Sequence, residues 1–301
     1  MMKLDLNSLP KVRGEYKFNE PMSRHTWLNA GGNAQVMFLP QDKDDLQYFL
    51  KNIDKNIPIF ILGSGSNLLV RDGGFDGVII QLQNPSFSSI RYDNGLLSCG
   101  AGLKNHFLKK YLIEHSLGGL EFICSIPGTI GGLVRSNAGC FGSELSNVLN
   151  KAEVMDKNGN IFNVEPNEFH FAYRHSDFSA DWIILELTFK TTESSSDEVN
   201  RIITEQAEYR RTHQPQNVRT AGSTFKNPPE HRAWELIKKA GGTELKIGGA
   251  SFSPQHCNFL INDGTASAED IETLGNTIVK KVKEQENITL EWEIKIIGKR
   301  Q

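Results

Sequence analysis

Three short segments carry reactive side chains in settings that call for a chemical explanation. Tyr173-Arg174-His175-Ser176 sets a guanidinium beside an imidazole, just before Asp177-Phe178. Such a fork can clamp a carboxylate or face a developing enolate charge. The plain alternative is a surface arginine paired with a carboxylate. Ala221-Gly222-Ser223-Thr224-Phe225-Lys226-Asn227-Pro228 places glycine before serine, a turn that can push a hydroxyl into a cleft with a charge and an amide close by. A helix cap or turn serine is the ordinary reading. With no G-x-S-x-G elbow and no paired His and Asp, a serine hydrolase is poorly supported. The third segment is ITLEWEIKIIG at 288–298. Period two there puts Ile288, Leu290, Trp292, Ile294 and Ile296 on one face and Glu291, Glu293 and Lys295 on the other.

Two glycine turns give these groups a context. GSGSNLLV at 63–70 follows the apolar run 58–62, and Gly63 and Gly65 lack the Cβ atoms that would hold an anion off the backbone. Ser64, Ser66 and Asn67 add side-chain donors. SIPGTIGG follows at 125–132, with Asn137-Ala138-Gly139 beyond it. Paired turns of this kind suggest a diphosphate between them, and so a dinucleotide cofactor. The pattern is not a Rossmann fingerprint, because Leu68 stands at the third glycine and no long amphipathic helix follows. A Walker G-K-[S/T] is absent as well.

The elements that position these segments alternate without a strict βαβ rhythm. Residues 42–53 put Leu46, Phe49, Leu50 and Ile53 on one helical face behind an Asp42 cap. Strands are expected at 57–62 and 78–82, and a hairpin joins 90–92 to 96–99 across Asp93-Asn94-Gly95. A helix carrying Leu103, Phe107, Leu108, Tyr111 and Leu112 comes next. A second hairpin, 152–156 with 161–164, turns at 157–160, and 182–190 is a further strand. TTESSSDE at 191–198 is the best linker candidate. Beyond it lie helices near 199–211 and at AWELIKKA, a long helix with Ile271, Leu274, Ile278 and Val282, and the final strand 288–298. This is an α+β chain, with no internal repeat.

Its 301 residues, 38% hydrophobic and 23% charged with a net charge of −3, fit an ordinary globular chain of two or three packed domains. The charge balance speaks against nucleic acid as a partner. No apolar run approaches the roughly 20 residues of a membrane span, and the N-terminus has no apolar core of a signal peptide. Cys99, Cys124, Cys140 and Cys257 show no metal-ligand or disulfide spacing, so no metal is expected and reduced thiols in a cytoplasmic protein are. Cys140 reads as a small core filler, with a place in the cofactor pocket as the alternative.

The motifs in their order make the chain resemble the UDP-N-acetylenolpyruvoylglucosamine reductase family. GSGSNLLV, IPGTIGG, NAG, YRHS, GSTFKNP, SFSPQHCNFLIN and a terminal E-x-x-x-x-G follow family order, from Thr26 to Gly298. Departures are Ser64 where glycine is commoner, Leu133 and Ser136 for the usual Ala and Met, and Gly242-Thr243-Glu244 for G-L-K. A substrate-gripping tyrosine loop does not fit between Phe178 and Trp182, so the likeness is to the shorter subgroup. The resemblance implies a two-lobed PCMH-type FAD-binding domain at 23–195 (lobes 23–84 and 85–195) after an N-terminal segment 1–22. A smaller α+β substrate-binding domain at 196–301 follows.

It also implies an activity: NADPH reduces FAD, and the flavin then reduces the enolpyruvyl ether of a nucleotide-sugar peptidoglycan precursor. FAD contacts carried over are Gly63, Ser64, Gly65, Ser66, Asn67, Leu68, Ser125, Pro127, Gly128, Thr129, Gly132, Asn137, Ala138 and Gly139. Arg174 is implied as stabiliser of the developing charge, Ser223 as proton donor and Glu293 as part of the carboxylate site. Tyr173, Lys226, Asn227, His256 and Asn258 are implied substrate-side contacts. A monomer is the expected state. The rivals are a flavin oxidase of the same superfamily and a non-enzymatic flavin-binding protein. Both leave Arg174, Ser223 and Glu293 unexplained, and the first loop lacks the histidine or cysteine that would tether a flavin.

Overall fold

The computed structural model describes residues 6–301, so the first five residues of the 1–22 segment lie outside the described residues. The chain folds into two compact units, each made of separated stretches. One takes the residues up to Lys17, Val36–Ser64 and Gly77–Tyr209; the other takes Phe18–Gln35, Gly65–Asp76 and Arg210–Gln301.

In the first unit, the helix Lys43–Asn52 begins where Asp42 accepts from Asp45 N, and it buries Leu46, Phe49 and Leu50. Strands Ile59–Leu62 and Phe75–Gln81 pair in parallel with Ile59 opposite Val78. A five-stranded antiparallel sheet follows in the order Ile161–Val164, Leu149–Asp156, Trp182–Lys190, Leu96–Gly100, Ile90–Asp93. Both expected hairpins lie in it. Its central strand, Trp182–Lys190, buries Ile183, Ile184 and Leu185 in succession because both faces are covered. The expected helix at 103–112 is shorter: Asn105–Phe107 is a 3₁₀ turn, the helix is Leu108–Glu114, and Phe107 is exposed.

The Ser-rich stretch 191–198 is not a linker. Thr192–Glu193 pairs antiparallel with Leu117–Gly118, and the helix Ser196–His213 starts directly behind it. Ser196 Oγ donates to Ile113 O at 2.6 Å, a bond across 83 residues of sequence that ties the stretch into its unit.

The second unit is built on the helix Ala268–Glu286, whose Ile271, Leu274, Ile278 and Val282 are fully buried. Ser267 and Asp270 form a capping box, and the Asp72 carboxylate accepts from Ala268 N and Glu269 N at 3.0 and 2.8 Å. Beside it run the strands Lys246–Ile247, Ala250–Phe252 and Leu260–Asn262. Leu68–Val70 pairs in parallel with Lys295–Ile297, and Asn262 Nδ2 donates to Leu28 O at 2.8 Å. These bonds explain why stretches near residues 28 and 68 pack with the C-terminal part, where the sequence alone divides the chain once, near residue 195. The strand expected over 288–298 shrinks to Lys295–Ile297.

Candidate functional site

In the first unit, the buried end of strand Ile59–Leu62 delivers Gly63, whose carbonyl accepts from Gln81 Nε2 at 2.6 Å. A Cβ on Gly63 would lie 2.9 Å from Thr129 Oγ1, and one on Gly132 would lie 3.6 Å from the same oxygen. The two glycine turns therefore face each other across one hydroxyl. Thr129 precedes the 3₁₀ helix Ile130–Ser136 without a side-chain capping bond. Ser64 Oγ is buried and has no hydrogen-bond partner among the described residues. Such an oxygen needs a partner, and an anionic ligand supplies one. The amides of Ile130, Gly131 and Gly132 are engaged by Leu103, Ala101 and Thr129 carbonyls, so here the hydroxyls carry the free donor capacity.

Gly65 serves another purpose. At φ +67°, a Cβ there would stand 1.9 Å from His25 O, and its own carbonyl accepts from Trp27 N at 3.0 Å. Its missing side chain makes room for the protein's backbone, so Gly65→Leu tests folding. Gly63→Val is the better probe of the cofactor cradle. It should fold, yet weaken FAD by about 1–3 kcal/mol, roughly 5–150-fold, by filling the space at Thr129. Flavin titration of the apoprotein checks this, and unchanged affinity would mean that the opening is not the cradle.

The same unit braces Arg174. Asn137 is buried in the left-handed region at φ +39°, accepts from Ser146 N at 3.0 Å and donates to Ala172 O at 3.2 Å. Ala172 and His175 exchange both backbone hydrogen bonds, which leaves Tyr173-Arg174 at the tip of a tight turn. Arg174 sits at φ +52°, a conformation costing a non-glycine residue about 1–3 kcal/mol. Its Nη2 donates to Gly139 O at 2.7 Å, and the guanidinium lies 5.2 Å from the centre of the Tyr173 ring. One end of the turn and the side chain at its tip are thus tied to the 137–139 segment. Ser125 Oγ donates to Phe122 O at 2.9 Å and touches Cys140 Sγ at 3.3 Å.

In the second unit, Gly222 at φ +79° turns the chain into an extended stretch through Ser223, Thr224 and Phe225. Ser223 bridges Phe259 on one side and Phe225 bridges Trp292 on the other. Thr224 O accepts from both Glu293 N at 2.9 Å and Ile294 N at 3.4 Å. Ile288, Leu290, Trp292, Ile294 and Ile296 pack into one core, as the alternation expects. On the other face burial separates the two acids. Glu291 is exposed and pairs with Lys226 Nζ at 2.6 Å, whereas Glu293 is half-buried. Glu293 is also held at its carbonyl by Asn67 Nδ2 at 3.1 Å, and Lys295 N donates to Asn67 O at 3.1 Å. The amide of Asn67 thus ties the glycine-loop sequence to the acid. Sequence gave no sign of this.

The remaining expected contacts have structural duties. Asn258 is buried and clamps Phe225, accepting from its N–H at 3.0 Å and donating to its carbonyl at 2.8 Å. Asn227 Oδ1 accepts from Ala233 N at 2.9 Å at the start of helix Ala233–Lys239. His256 stacks edge-on against Phe259 at 4.7 Å, and its Nδ1 is buried without a partner among the described residues. Burial holds its pKa below the ordinary histidine value, which favours a neutral ring. Thr224, whose buried Oγ1 accepts from Leu260 N at 3.1 Å, went unnoticed in the sequence. Among the described residues, no group of three or more His, Cys, Asp and Glu side chains could hold a metal ion, and no helix is long and apolar enough to cross a membrane.

Family models match twice: the FAD binding domain over residues 34–165, and the UDP-N-acetylenolpyruvoylglucosamine reductase C-terminal domain over 214–297. A reductase of that name from Orientia tsutsugamushi (strain Ikeda) is 44% identical over 297 residues, covering 97% of this chain and 98% of its own. The namesake from Bradyrhizobium sp. (strain ORS 278) is 42% identical over 291 residues, covering 97% of this chain and 95% of its own. This chain belongs to the UDP-N-acetylenolpyruvoylglucosamine reductase family. The crystal structure of the Thermus caldophilus UDP-N-acetylenolpyruvylglucosamine reductase superposes with a TM-score of 0.80 at 32% identity, over 95% of this chain and 99% of that one. The chain is thus an FAD-dependent oxidoreductase of α+β fold. The facing turns at Gly63 and Thr129 fall inside the reductase's FAD-binding match, and Ser223, His256 and Glu293 inside its C-terminal match. Arg174 lies between the two.

Proposed function

We propose that this chain reduces UDP-N-acetylglucosamine enolpyruvate to UDP-N-acetylmuramate with NADPH as electron donor, in peptidoglycan precursor synthesis in the cytoplasm. The observation that carries the reading is the bond from Glu293 N to Thr224 O, which sets an acid beside the backbone of Ser223. Ser64, Thr129 and the small residues around them would hold FAD, which when bound would supply the hydride, with NADPH as its source.

Hydride arrival at the vinyl carbon leaves an electron pair on the carbon next to the substrate carboxylate. Arg174 offers a fixed positive charge to that enolate, and a preorganised cation needs no reorganisation as charge develops. Its Nη2 donates to Gly139 O, which fixes one edge of the guanidinium. Ser223 Oγ–H gives its proton to the carbanion-like carbon, completing addition of one hydride and one proton, and solvent returns the proton. Glu293 fixes the substrate carboxylate end by donating a hydrogen bond in its protonated form. His256 offers its unpartnered Nδ1 to the substrate, and Tyr173 and Lys226 are further substrate-side contacts. Asn258 contributes by holding the stretch that carries Ser223, and Asn227 by holding the start of the helix Ala233–Lys239 that follows it.

Oxygen dependence tests the assignment. NADPH consumption should require the enolpyruvyl substrate, proceed without oxygen and yield one product per NADPH. Consumption that needs oxygen and ignores the substrate would make the protein an oxidase.

A further inference from the structure

Gly275 stands in the middle of the helix Ala268–Glu286, where glycine is less favourable than alanine by about 1 kcal/mol. Its backbone is ordinary helix, so the reason is space. A Cβ there would lie 2.2 Å from both Cη2 and Cζ2 of Trp292. The six-membered ring of the indole occupies the place of a side chain on the helix. Its Nε1 donates to Asn276 Oδ1 at 3.2 Å, and the ring packs against Phe225 with centroids 5.0 Å apart. Trp292 immediately precedes Glu293, and Phe225 lies two residues beyond Ser223. On either side of the indole, Lys226 N donates to Glu291 O and Glu293 N to Thr224 O, both at 2.9 Å.

We infer that the Trp292 indole, seated on Gly275, is a positioning wedge that sets where Glu293 stands relative to Ser223. The inference rests on the role given to Glu293 above. An indole locked on one side by the helix and on the other by Phe225 leaves the next residue little freedom. Any outward shift of the ring must carry the Glu293 backbone with it or break its bond to Thr224 O.

The test is Gly275→Ala in the flavin-loaded enzyme, with the two half-reactions measured separately under anaerobic conditions. Alanine favours the helix, so global unfolding is not the expected effect. Reduction of flavin by NADPH should keep its rate, and reoxidation by the enolpyruvyl substrate should slow roughly 10–100-fold, as small misplacements of catalytic groups do. Adding Trp292→Phe removes the ring edge that meets the new methyl, so the double variant should recover toward the rate of Trp292→Phe alone. If Gly275→Ala does not accumulate as folded holoenzyme, Trp292→Ala should show the same selective slowing. Equal loss in both half-reactions, a normal second half-reaction or failure of the double variant to recover would overturn the inference. Glu293→Gln, run alongside, separates the failures. If it reoxidises normally, the acid's role falls and the inference with it; if it is slow while Gly275→Ala is normal, only the wedge falls.

Discussion

Ser223→Ala is expected to bind FAD and accept electrons from NADPH near the wild-type rate, yet to lose ~10²–10⁴-fold in reoxidation by the enolpyruvyl substrate, the usual contribution of general acid catalysis. The fold should tolerate the change. The bonds that hold this stretch come from its neighbours: Thr224 N to Asn258 O at 2.7 Å, Phe225 N to Asn258 Oδ1 and Leu260 N to Thr224 Oγ1. Removing the Ser223 hydroxyl disturbs none of them. Stopped-flow absorbance resolves the two stages. Equal slowing of both would assign Ser223 to positioning the cofactor.

The second large effect separates two glutamates that sequence pattern places together. Glu293→Gln should slow substrate-dependent reoxidation by about 10²–10³-fold, the range found when one electrostatic contact to a transition state is removed. Glu291→Gln should stay within about twofold, because it gives up only an exposed pair with Lys226, and such pairs are worth about 0.2–1 kcal/mol. The amide is isosteric, so neither variant should disturb the backbone bonds from 291 and 293 to the Ser223 strand. A crippled Glu291→Gln beside a healthy Glu293→Gln would mean that the acid site lies one strand position pair away.

Local chemistry was readable in the chain; distant pairing was not. The Asp42 cap, the turns at Asn94-Gly95 and Asn158-Gly159 and the buried run at 182–190 each declare themselves within a few residues. The C-terminal stretch does not, because its register is set by partners far away. Lys295–Ile297 pairs with Leu68–Val70, and Asn67 reaches Glu293 across 226 residues of sequence. The alternation at 288–296 holds, yet it made Glu291 and Glu293 look equivalent, and only the structure shows one exposed and the other half-buried. Glycines show the same limit. Gly63 and Gly65 look alike in GSGSN, but one opens toward Thr129 and the other admits the His25 carbonyl. For Asn258 the residue type announced a polar role, and only the structure reveals that both ends of the amide serve Phe225. Motif order thus pointed to the family, while the duties of single residues within the motifs depended on contacts that no local pattern encodes.

The most direct measurement is a single turnover of prereduced enzyme mixed anaerobically with the enolpyruvyl substrate, followed by flavin absorbance and product mass. The account predicts that the oxidised flavin colour returns in one phase, with one UDP-N-acetylmuramate formed per flavin. In deuterium oxide the product should gain one deuteron at the carbon beside the carboxylate, from the serine, and one at the adjacent methyl carbon, because the hydrogen that reduced flavin delivers exchanges with solvent. Flavin that stays reduced until oxygen is admitted, with the substrate recovered unchanged, would contradict it.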